Sequence, residues 1–511
     1  MKRLVTLVLA AGLFFSAASG SQAIEFKVAG EWLMGFNAAQ GSLVSHKRTN
    51  GTRTKADNKD IFSAGQRLRL QLDAVASEQL SGTVFFEIGD TVWGQSSTGG
   101  ALGADSTEVI KLKRAYLDWA VPDTDLKVRM GLQGLPLPFV AGGSAILNDD
   151  VAAVVASYKF NENVGLTFFW ARPYNDNYQA RNWETSSNNR TSYLDNMDLF
   201  SLALPLTFEG IEATPWIMYG SLGQNTFRDN TNVRRWFTMS GYESDSGRWN
   251  SEEFDRERAT TSAFWAGLPV KLTLWEPLNI EFDINYGYLQ SMGRGTIHSW
   301  YGSERYDTRR EGWLAKALIE YKMDWGTPGI FGWYSSGDDG NPGNGSERMP
   351  TVSAAGNFTS FLGDGNLAWA SSTDLYDRNL SYSGTWGIGL QLKDMSFVED
   401  LKHTFRAAYW GGTNSPAMAK YANSPWGWGS SVDEADHADF EHYLTTNDGI
   451  LEFNLVNVYQ LYENFQINLE LSYLVNFIDQ GTWERSIGGV NGDTYTKQDA
   501  WKAQLIFAYT F

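Results

Sequence analysis

Two short segments of the chain carry basic residues at every second position. Arg67 and Arg69 alternate with leucine residues, and Lys127 and Arg129 alternate with leucine, valine and methionine. Successive side chains of a β-strand point to opposite faces, so each pair of basic residues shares one polar face. Fixed charges in this arrangement attract or repel ions and polar solutes, and they perform no bond chemistry by themselves.

Recognisable catalytic motifs are absent from the sequence. It contains no GxSxG, no Walker A segment and no HExxH, which would indicate a nucleophile, a phosphate-binding loop or a zinc site. The chain also has no cysteine, so neither disulfides nor thiolate–metal sites can stabilise it. We therefore expect no enzyme activity and no cofactor.

The elements that position these charges are predicted to be strands. Segment 465–477 alternates apolar residues such as Leu469 and Leu471 with polar residues such as Glu470. This period of two recurs along the chain and is typical of strands with one apolar face. We predict 18 antiparallel strands, with 16 as the alternative if 328–335 merges with its neighbour. The predicted ranges are 25–37, 63–77, 82–93, 108–120, 126–135, 150–160, 164–174, 196–208, 211–220, 260–275, 278–291, 310–324, 328–335, 381–393, 401–411, 448–460, 465–477 and 497–511.

The first 23 residues have the features of a signal peptide. Lys2 and Arg3 are followed by an apolar run from 4 to 18, and the small residues around Ala23 suit cleavage after it. No later segment has the apolar length of a transmembrane helix. We therefore expect an exported chain in which residues 24–511 form a single domain.

Composition and the last segment favour a β-barrel that spans a membrane. The chain has 21 Trp, 23 Tyr and 29 Phe residues, yet its mean hydropathy is −0.34. Only alternate residues of a barrel strand contact lipid, so a barrel can combine an aromatic surface with modest hydropathy. Segment 501–511 alternates between apolar and more polar residues and finishes on Phe511. The net charge of −18 argues against a nucleic-acid partner.

The predicted fold is therefore all-β, a transmembrane antiparallel barrel. Connections such as 122–125 and 161–163 are short, whereas 221–259, 336–380 and 412–447 are long. In barrels of bacterial outer membranes, short turns face the periplasm and long loops face the exterior.

The chain resembles the general trimeric porins, and most closely the homotrimeric porins of sulfate-reducing bacteria. The resemblance is carried by AIEFKVAGEWLMGF at 23–36, RAYLDWAVPDTDLKVRMGLQGLPLPF at 114–139 and LIFAYTF at 505–511. It implies a homotrimer in the outer membrane, in contact with lipid and lipopolysaccharide, with a water-filled channel in each subunit through which small hydrophilic solutes diffuse passively. In many members the loop after the fifth strand narrows the channel, and here that loop is 136–149. This chain is longer than many general porins, so longer outer loops or an added strand pair are expected.

Strand parity then assigns charged side chains to the channel. The candidate pore-lining residues are Arg67, Arg69, Glu87, Arg114, Lys127, Arg129, Asp149 and Asp150. Opposed bases and acids across a narrow channel create a transverse field that orients polar solutes. The alternative is that these groups only solvate the interior or pair with each other. Alternation fails near Lys113 and Arg114, which predicts a β-bulge, while Glu281, Asp283 and Glu470 predict a more acidic wall elsewhere.

Two segments have some metal-binding features. DEADHADFEH at 433–442 could hold a divalent cation next to lipopolysaccharide, although a solvated charge run is the favoured interpretation. GDDGNPGNGSE at 337–347 lacks the full ligand spacing of a calcium loop, so an ordinary loop is favoured. We expect no bound metal. Two alternative functions remain open: a porin selective for sugars or anions, and an exported β-rich binding protein or adhesin.

Overall fold

The computed structural model describes most of the chain after residue 23. It covers 24–511 apart from 41–43, 48–52, 56–59, 96–98, 103–109, 176–195, 224–225, 227–254, 257–259, 300–301, 363–366, 368, 370–381, 420–442 and 488–493. The predicted signal peptide and the acidic segment 433–442 lie outside the described residues.

The described chain forms one closed sheet of antiparallel strands. The sheet contains 20 strand segments, and two strands are each divided in two, which leaves 18. We number the strands β1 (Glu25–Gln40), β2 (Asp60–Ser77), β3 (Leu80–Val92), β4 (Lys111–Ala120), β5 (Leu126–Pro136), β6 (Asn148–Lys159), β7 (Gly165–Asn175), β8 (Asn196–Ala203 and Leu206–Phe208), β9 (Ile211–Ala213 and Trp216–Gly223), β10 (Thr260–Leu272), β11 (Leu278–Leu289), β12 (Arg310–Tyr321), β13 (Thr327–Ser335), β14 (Thr385–Val398), β15 (Leu401–Gly412), β16 (Gly449–Tyr462), β17 (Phe465–Asn476) and β18 (Ala500–Thr510).

The sheet closes between its first and last strands. β1 pairs with β2 on one side and with β18 on the other, where Trp32 lies opposite Tyr509. A closed sheet has no free edge at which backbone groups lack partners. The prediction of 18 strands is confirmed. The alternative of 16 is wrong, because β13 pairs as a separate strand with both β12 and β14.

Proline residues divide two of the strands. Pro205 separates the two parts of β8, and Pro215 separates those of β9. Proline has no N–H to donate to the ladder, so regular pairing stops at these positions. The Pro215 carbonyl still accepts a hydrogen bond from the Leu204 N–H at 2.9 Å, which keeps the two strands in register.

The strands place apolar side chains outside and polar side chains inside. On β17, Leu471 and Tyr473 are exposed, whereas Glu470 and Ser472 are buried. On β18, Trp501 is exposed and Lys502 is buried. This is the reverse of a water-soluble sheet and matches a barrel whose outer surface faces lipid.

Connections of two lengths lie at opposite ends of the barrel. Turns such as 78–79 and 463–464 lie at the end that also holds the start of β1 and the end of β18. Near that end, the Phe511 backbone exchanges hydrogen bonds of 2.8 and 3.0 Å with Gly30. The long connections lie at the other end.

Some long connections carry secondary structure of their own. Val44–Lys47, Arg53–Lys55 and Thr494–Lys497 form a three-stranded sheet, and Asp255–Arg256, Gly293–Ser299 and Gly302–Asp307 form another. Helix α1 (Gln480–Ile487) follows β17. Among the described residues, no helix has the length and apolar character needed to cross a membrane.

Candidate functional site in the barrel interior

Two long connections fold into the barrel. Loop A (137–147) joins β5 to β6, and loop B (336–384) joins β13 to β14. Loop A buries Leu137, Ala145 and Ile146 against side chains of the inner wall. The predicted constriction segment, 136–149, therefore enters the interior. The described part of loop B, which was predicted to be external, enters it as well.

Loop A is held on the opposite wall by a buried ion pair. Asp283 on β11 and Lys316 on β12 lie directly opposite in register, and their charged atoms are 3.0 Å apart. The Asp283 carboxylate accepts hydrogen bonds from the N–H groups of Val140 and Ala141 at 3.2 Å. The Lys316 ammonium donates to the carbonyls of Ala141 and Gly143. Both charges therefore bind the loop through its backbone.

Loop B is held in the same way further around the barrel. Lys502 on β18 pairs with Glu470 on β17 at 3.3 Å and donates to the Ser360 carbonyl at 3.2 Å. On β16, the Glu452 carboxylate accepts the N–H of Phe361 at 2.7 Å. Each loop is thus bound by a lysine that donates to its carbonyls and by a carboxylate that accepts its N–H groups.

A hydrogen-bonded seam joins the two loops. The N–H groups of Val352 and Ser353 donate to the Ile146 carbonyl at 2.9 Å, and that of Ala355 donates to Ser144 at 3.0 Å. The Tyr382 hydroxyl donates to the Gly142 carbonyl at 2.6 Å. Since the loops share these bonds, they form one assembly inside the barrel.

Apolar packing fills the sector of the interior behind loop A. The buried cluster combines loop A with inward side chains of β7 to β12, among them Phe169, Leu199, Trp265 and Leu314. The Trp265 indole N–H donates to the Pro350 carbonyl of loop B at 2.9 Å. Loop A is therefore packed against this side of the barrel wall.

The inner wall of β2 to β6 carries a row of alternating positive and negative side chains. The Arg69 guanidinium lies 2.8 Å from Glu87, and Lys113 lies 3.6 Å from Glu87 and 3.4 Å from Asp150. Arg114 is the last member of the row, and its guanidinium lies 2.5 Å from the Asp150 carboxylate. We call these five residues the charged cluster. It contains three cations and two carboxylates, so it has one excess positive charge.

A second ion pair lies on the same wall, closer to the short turns. Arg129 donates through two nitrogens to both oxygens of Asp118, at 2.7 and 2.9 Å. Its guanidinium lies 4.3 Å from the centroid of the Tyr116 ring. This bidentate geometry fixes the arginine more firmly than a single contact would.

The two walls differ in how much water reaches their charges. The side chains of Arg69, Lys113, Arg114 and Arg129 are 24–42% exposed, whereas those of Lys316 and Lys502 are at most 1% exposed. Within the charged cluster the carboxylates are the more enclosed groups, at 9% for Glu87 and 15% for Asp150. The space that the loops leave open therefore borders β2 to β6, and both cations and carboxylates of this wall are accessible to it, among them Arg129 and Asp118 at 42% and 39% exposed.

The structure places the eight candidate residues on or near this wall. Arg69, Glu87, Arg114 and Asp150 join the charged cluster, Arg129 lies below it, and Lys127 lies near the short-turn end of β5. Arg67 is 4% exposed and lies 5.8 Å from the Trp369 ring of loop B. Asp149 accepts a hydrogen bond of 2.8 Å from Ser353 of loop B. The predicted bulge is confirmed, because the β3–β4 register shifts between the pairs Phe85–Arg114 and Phe86–Leu112.

The predicted acidic wall is wrong for two of its three members. Asp283 and Glu470 are each paired with a buried lysine and covered by a loop. These lysines could not be recognised from the sequence, because Lys316 and Lys502 follow the same alternation as any inward polar residue. Asp118 and Lys113 were also left out of the predicted site, although failed alternation at Lys113 gave a usable signal.

The acidic segment at 337–347 forms hydrogen bonds within its own loop and with the connection between β15 and β16. Asp338 accepts hydrogen bonds from the Ser346 and Tyr443 hydroxyls, both at 2.6 Å, and Asp339 accepts from the Asn341 N–H at 2.8 Å. Within the described part of the chain, no group of three or more acidic or histidine residues could hold a metal ion. The ordinary-loop interpretation fits these contacts.

Comparisons with known proteins give only distant similarities. No family model and no curated protein matches the chain. Among solved structures from Pseudomonas aeruginosa, OccK11 (OpdR) aligns with a TM-score of 0.47 and 9% identity over 95% of this chain and 96% of that chain. OpdL aligns with 0.46 and 12% over 95% and 99%, and OpdK with vanillate aligns with 0.47 and 8% over 95% and 98%. At such low TM-scores and identities, no property of these proteins is assigned to this chain. Its function is inferred from its own residues.

Proposed function

We propose that the chain is an outer-membrane porin, a water-filled channel through which small hydrophilic solutes and ions diffuse down their gradients. One observation carries this proposal: a closed barrel with an apolar exterior retains an accessible charged wall beside two inward loops. In a closed barrel every strand pairs its backbone N–H and C=O groups with neighbouring strands. The barrel can therefore span a lipid bilayer while its interior contains water. The proposal includes no catalytic step and no cofactor.

The wall of β2 to β6 is the proposed lining of the channel. Its members are Arg67, Arg69, Glu87, Arg114, Lys127, Arg129, Asp149 and Asp150, to which the geometry adds Lys113 and Asp118. Loops A and B form the opposite side and set the width. Charges confined in a narrow channel are screened less than charges on an open surface, so this wall governs which ions enter.

Export and assembly follow from the same proposal. Residues 1–23 serve as the signal peptide, and the mature barrel inserts into the outer membrane with its short turns on the periplasmic side. The resemblance to trimeric porins supports a homotrimer in contact with lipid and lipopolysaccharide. An exported binding protein or adhesin is disfavoured, because its outer surface would not need exposed apolar residues on every strand.

Electrical recording tests the proposal. Purified protein added to a planar lipid bilayer should give stepwise increases in conductance, and heat-denatured protein should give none. In parallel, unheated samples on a denaturing gel should migrate as trimers that heating converts to monomers. A folded, membrane-inserted protein that produces no conductance steps would refute the channel.

A further inference from the structure

A cavity lies inside the barrel between loop A and the short-turn end. Its volume is about 600 Å³, within the range of about 300–1,000 Å³ that is usual for small-molecule sites. Inward residues of β3 to β9 line it near the short turns, and Leu135, Pro136 and Pro138 cover it from the direction of loop A. We call it the lower pocket. A solute that passes the charged cluster meets it next.

Hydroxyl and amide groups form one side of the lower pocket. Ser157 and Thr167 lie on neighbouring strands with their hydroxyl oxygens 3.2 Å apart, within hydrogen-bonding distance. In such a pair one hydroxyl donates to the other, so a free proton and several lone pairs remain for a ligand. The Gln133 amide nitrogen donates to the carbonyls of Gly131 and Ala153, which fixes the orientation of its side chain at the pocket wall.

Apolar groups form another side. Pro136, Pro138 and Val155 contribute partly exposed surfaces, with Phe169 and Ala203 behind them. A ligand in this pocket therefore meets hydrogen-bonding groups on one side and carbon surface on another. A pyranose ring has the same division, with hydroxyls at its edge and C–H groups on its faces.

The charges of the lower pocket balance. Its lining includes Glu78 and Asp118 as acids and Lys127 and Arg129 as bases. Arg129 is bound to both oxygens of Asp118, so this pair presents little net charge to a ligand. The charged cluster above has one excess cation, whereas the lower pocket has none. Charge attraction therefore provides no selection for an anion at this level.

We propose that the lower pocket is a binding site for a neutral polyhydroxylated solute of monosaccharide size, which would make the channel sugar-selective. This inference rests on the proposed channel function. Hydroxyls that can both donate and accept match the hydroxyls of a sugar, and the apolar side excludes water from its C–H face.

Sugar-dependent block of the ion current tests the site. Glucose added to a bilayer with wild-type channels should reduce the potassium chloride current in a saturable way. The double variant Ser157→Ala/Thr167→Val removes both hydroxyls together, so neither is left without its partner. Loss of about two hydrogen bonds should raise the half-blocking glucose concentration about tenfold. The current of each channel without sugar is recorded first, and block by glucose is expressed as a fraction of it.

A matched control removes a hydroxyl from the outer surface. Tyr219 is exposed, and its hydroxyl lies 3.0 Å from that of Ser262. Tyr219→Phe should leave block by glucose unchanged.

Three outcomes would overturn the inference. Equal glucose block in the wild type and the double variant would place binding elsewhere. Stronger block by glucuronate, a sugar of similar size with a negative charge, would show that the site selects anions. Normal conductance steps with no effect of glucose would reject the pocket alone, whereas absence of steps would reject the channel.

Discussion

Asp283 and Lys316 form a buried ion pair that holds loop A by its backbone. Their charged atoms are 3.0 Å apart, and their side chains are at most 3% exposed. Asp283 accepts N–H groups of loop A, and Lys316 donates to its carbonyls. Removing two charges from water is costly, and it is offset here by the attraction between them and by four or more loop contacts. This pair therefore fixes loop A on the side of the barrel interior that faces the charged wall.

Replacing the pair with apolar residues should release loop A. The double variant Asp283→Leu/Lys316→Met leaves no unpaired charge, so the barrel should fold. Loop A loses its hydrogen bonds to β11 and β12, so single-channel conductance and the size of the largest permeating polyethylene glycol should both increase. Lys316→Met alone leaves a buried carboxylate and should destabilise the protein by about 3–5 kcal/mol. Conductance and the temperature of heat-induced unfolding measure the two effects.

A nearby exposed lysine provides the control for that experiment. The Lys393 side chain is 43% exposed and lies 3.5 Å from Glu320. Lys393→Met should destabilise the protein less than Lys316→Met, because Lys393 is partly exposed and the Glu320 carboxylate keeps its hydrogen bonds from Asn279 and Gln391. If the folded double variant conducted exactly as much as Lys393→Met and the wild type, the ion pair would have no role in holding loop A.

Removing cations from the charged cluster should change ion preference. Lys113→Gln/Arg114→Gln changes the cluster from three cations and two carboxylates to one cation and two carboxylates. The reversal potential in a potassium chloride gradient should therefore shift toward cation preference. The shift should be larger at low ionic strength, because salt screens these partly exposed charges.

Two lysines at the short-turn end provide a matched change of charge. Lys159 and Lys402 are both exposed. The variant Lys159→Gln/Lys402→Gln removes the same total charge away from the cluster and should shift the reversal potential much less. Equal shifts in the two variants would indicate that net charge matters and the cluster does not.

The strands were predictable because each one carries its own signal. Period-two alternation in segments such as 465–477 depends only on neighbouring residues, and the 18 predicted ranges correspond to the 18 strands. The bulge at Lys113 was predictable for the same reason, since alternation fails there. Division of β8 at Pro205 was missed, because alternation continued on both sides of the proline.

The positions that the loops occupy inside the barrel could not be predicted from local alternation. Loop B meets β16 and β18 through Phe361 and Ser360, and nothing near these residues in the sequence specifies those partners. Asp283 was interpreted as part of an acidic wall because parity shows which face it occupies, and only the structure shows that Lys316 and loop A cover it. Local pattern therefore fixes the faces of a barrel, and tertiary packing decides which inward charges remain accessible.

Glu347 at the start of loop B should make stability depend on pH near neutrality. Burial, together with the charges of Asp338 and Asp339, raises the pKa of its carboxyl from 4.5 to about 7, and the hydrogen bond from the Asp339 N–H acts in the opposite direction. The folded state therefore binds more protons than the unfolded state between these two pH values. Stability is greatest below this window and falls as the pH rises through about 7.

The variant Glu347→Gln isolates this effect, because glutamine stays neutral and can still accept the Asp339 N–H, which lies 3.1 Å from the carboxylate. The temperature of heat-induced unfolding should fall from about pH 5 to about pH 8 in the wild type and should fall less in the variant. Glu463→Gln, in an exposed short turn at the other end, should behave as the wild type. An equal decrease in Glu347→Gln and the wild type would show that other groups cause it. A smaller decrease in Glu347→Gln alone would assign this part of the pH dependence to the start of loop B.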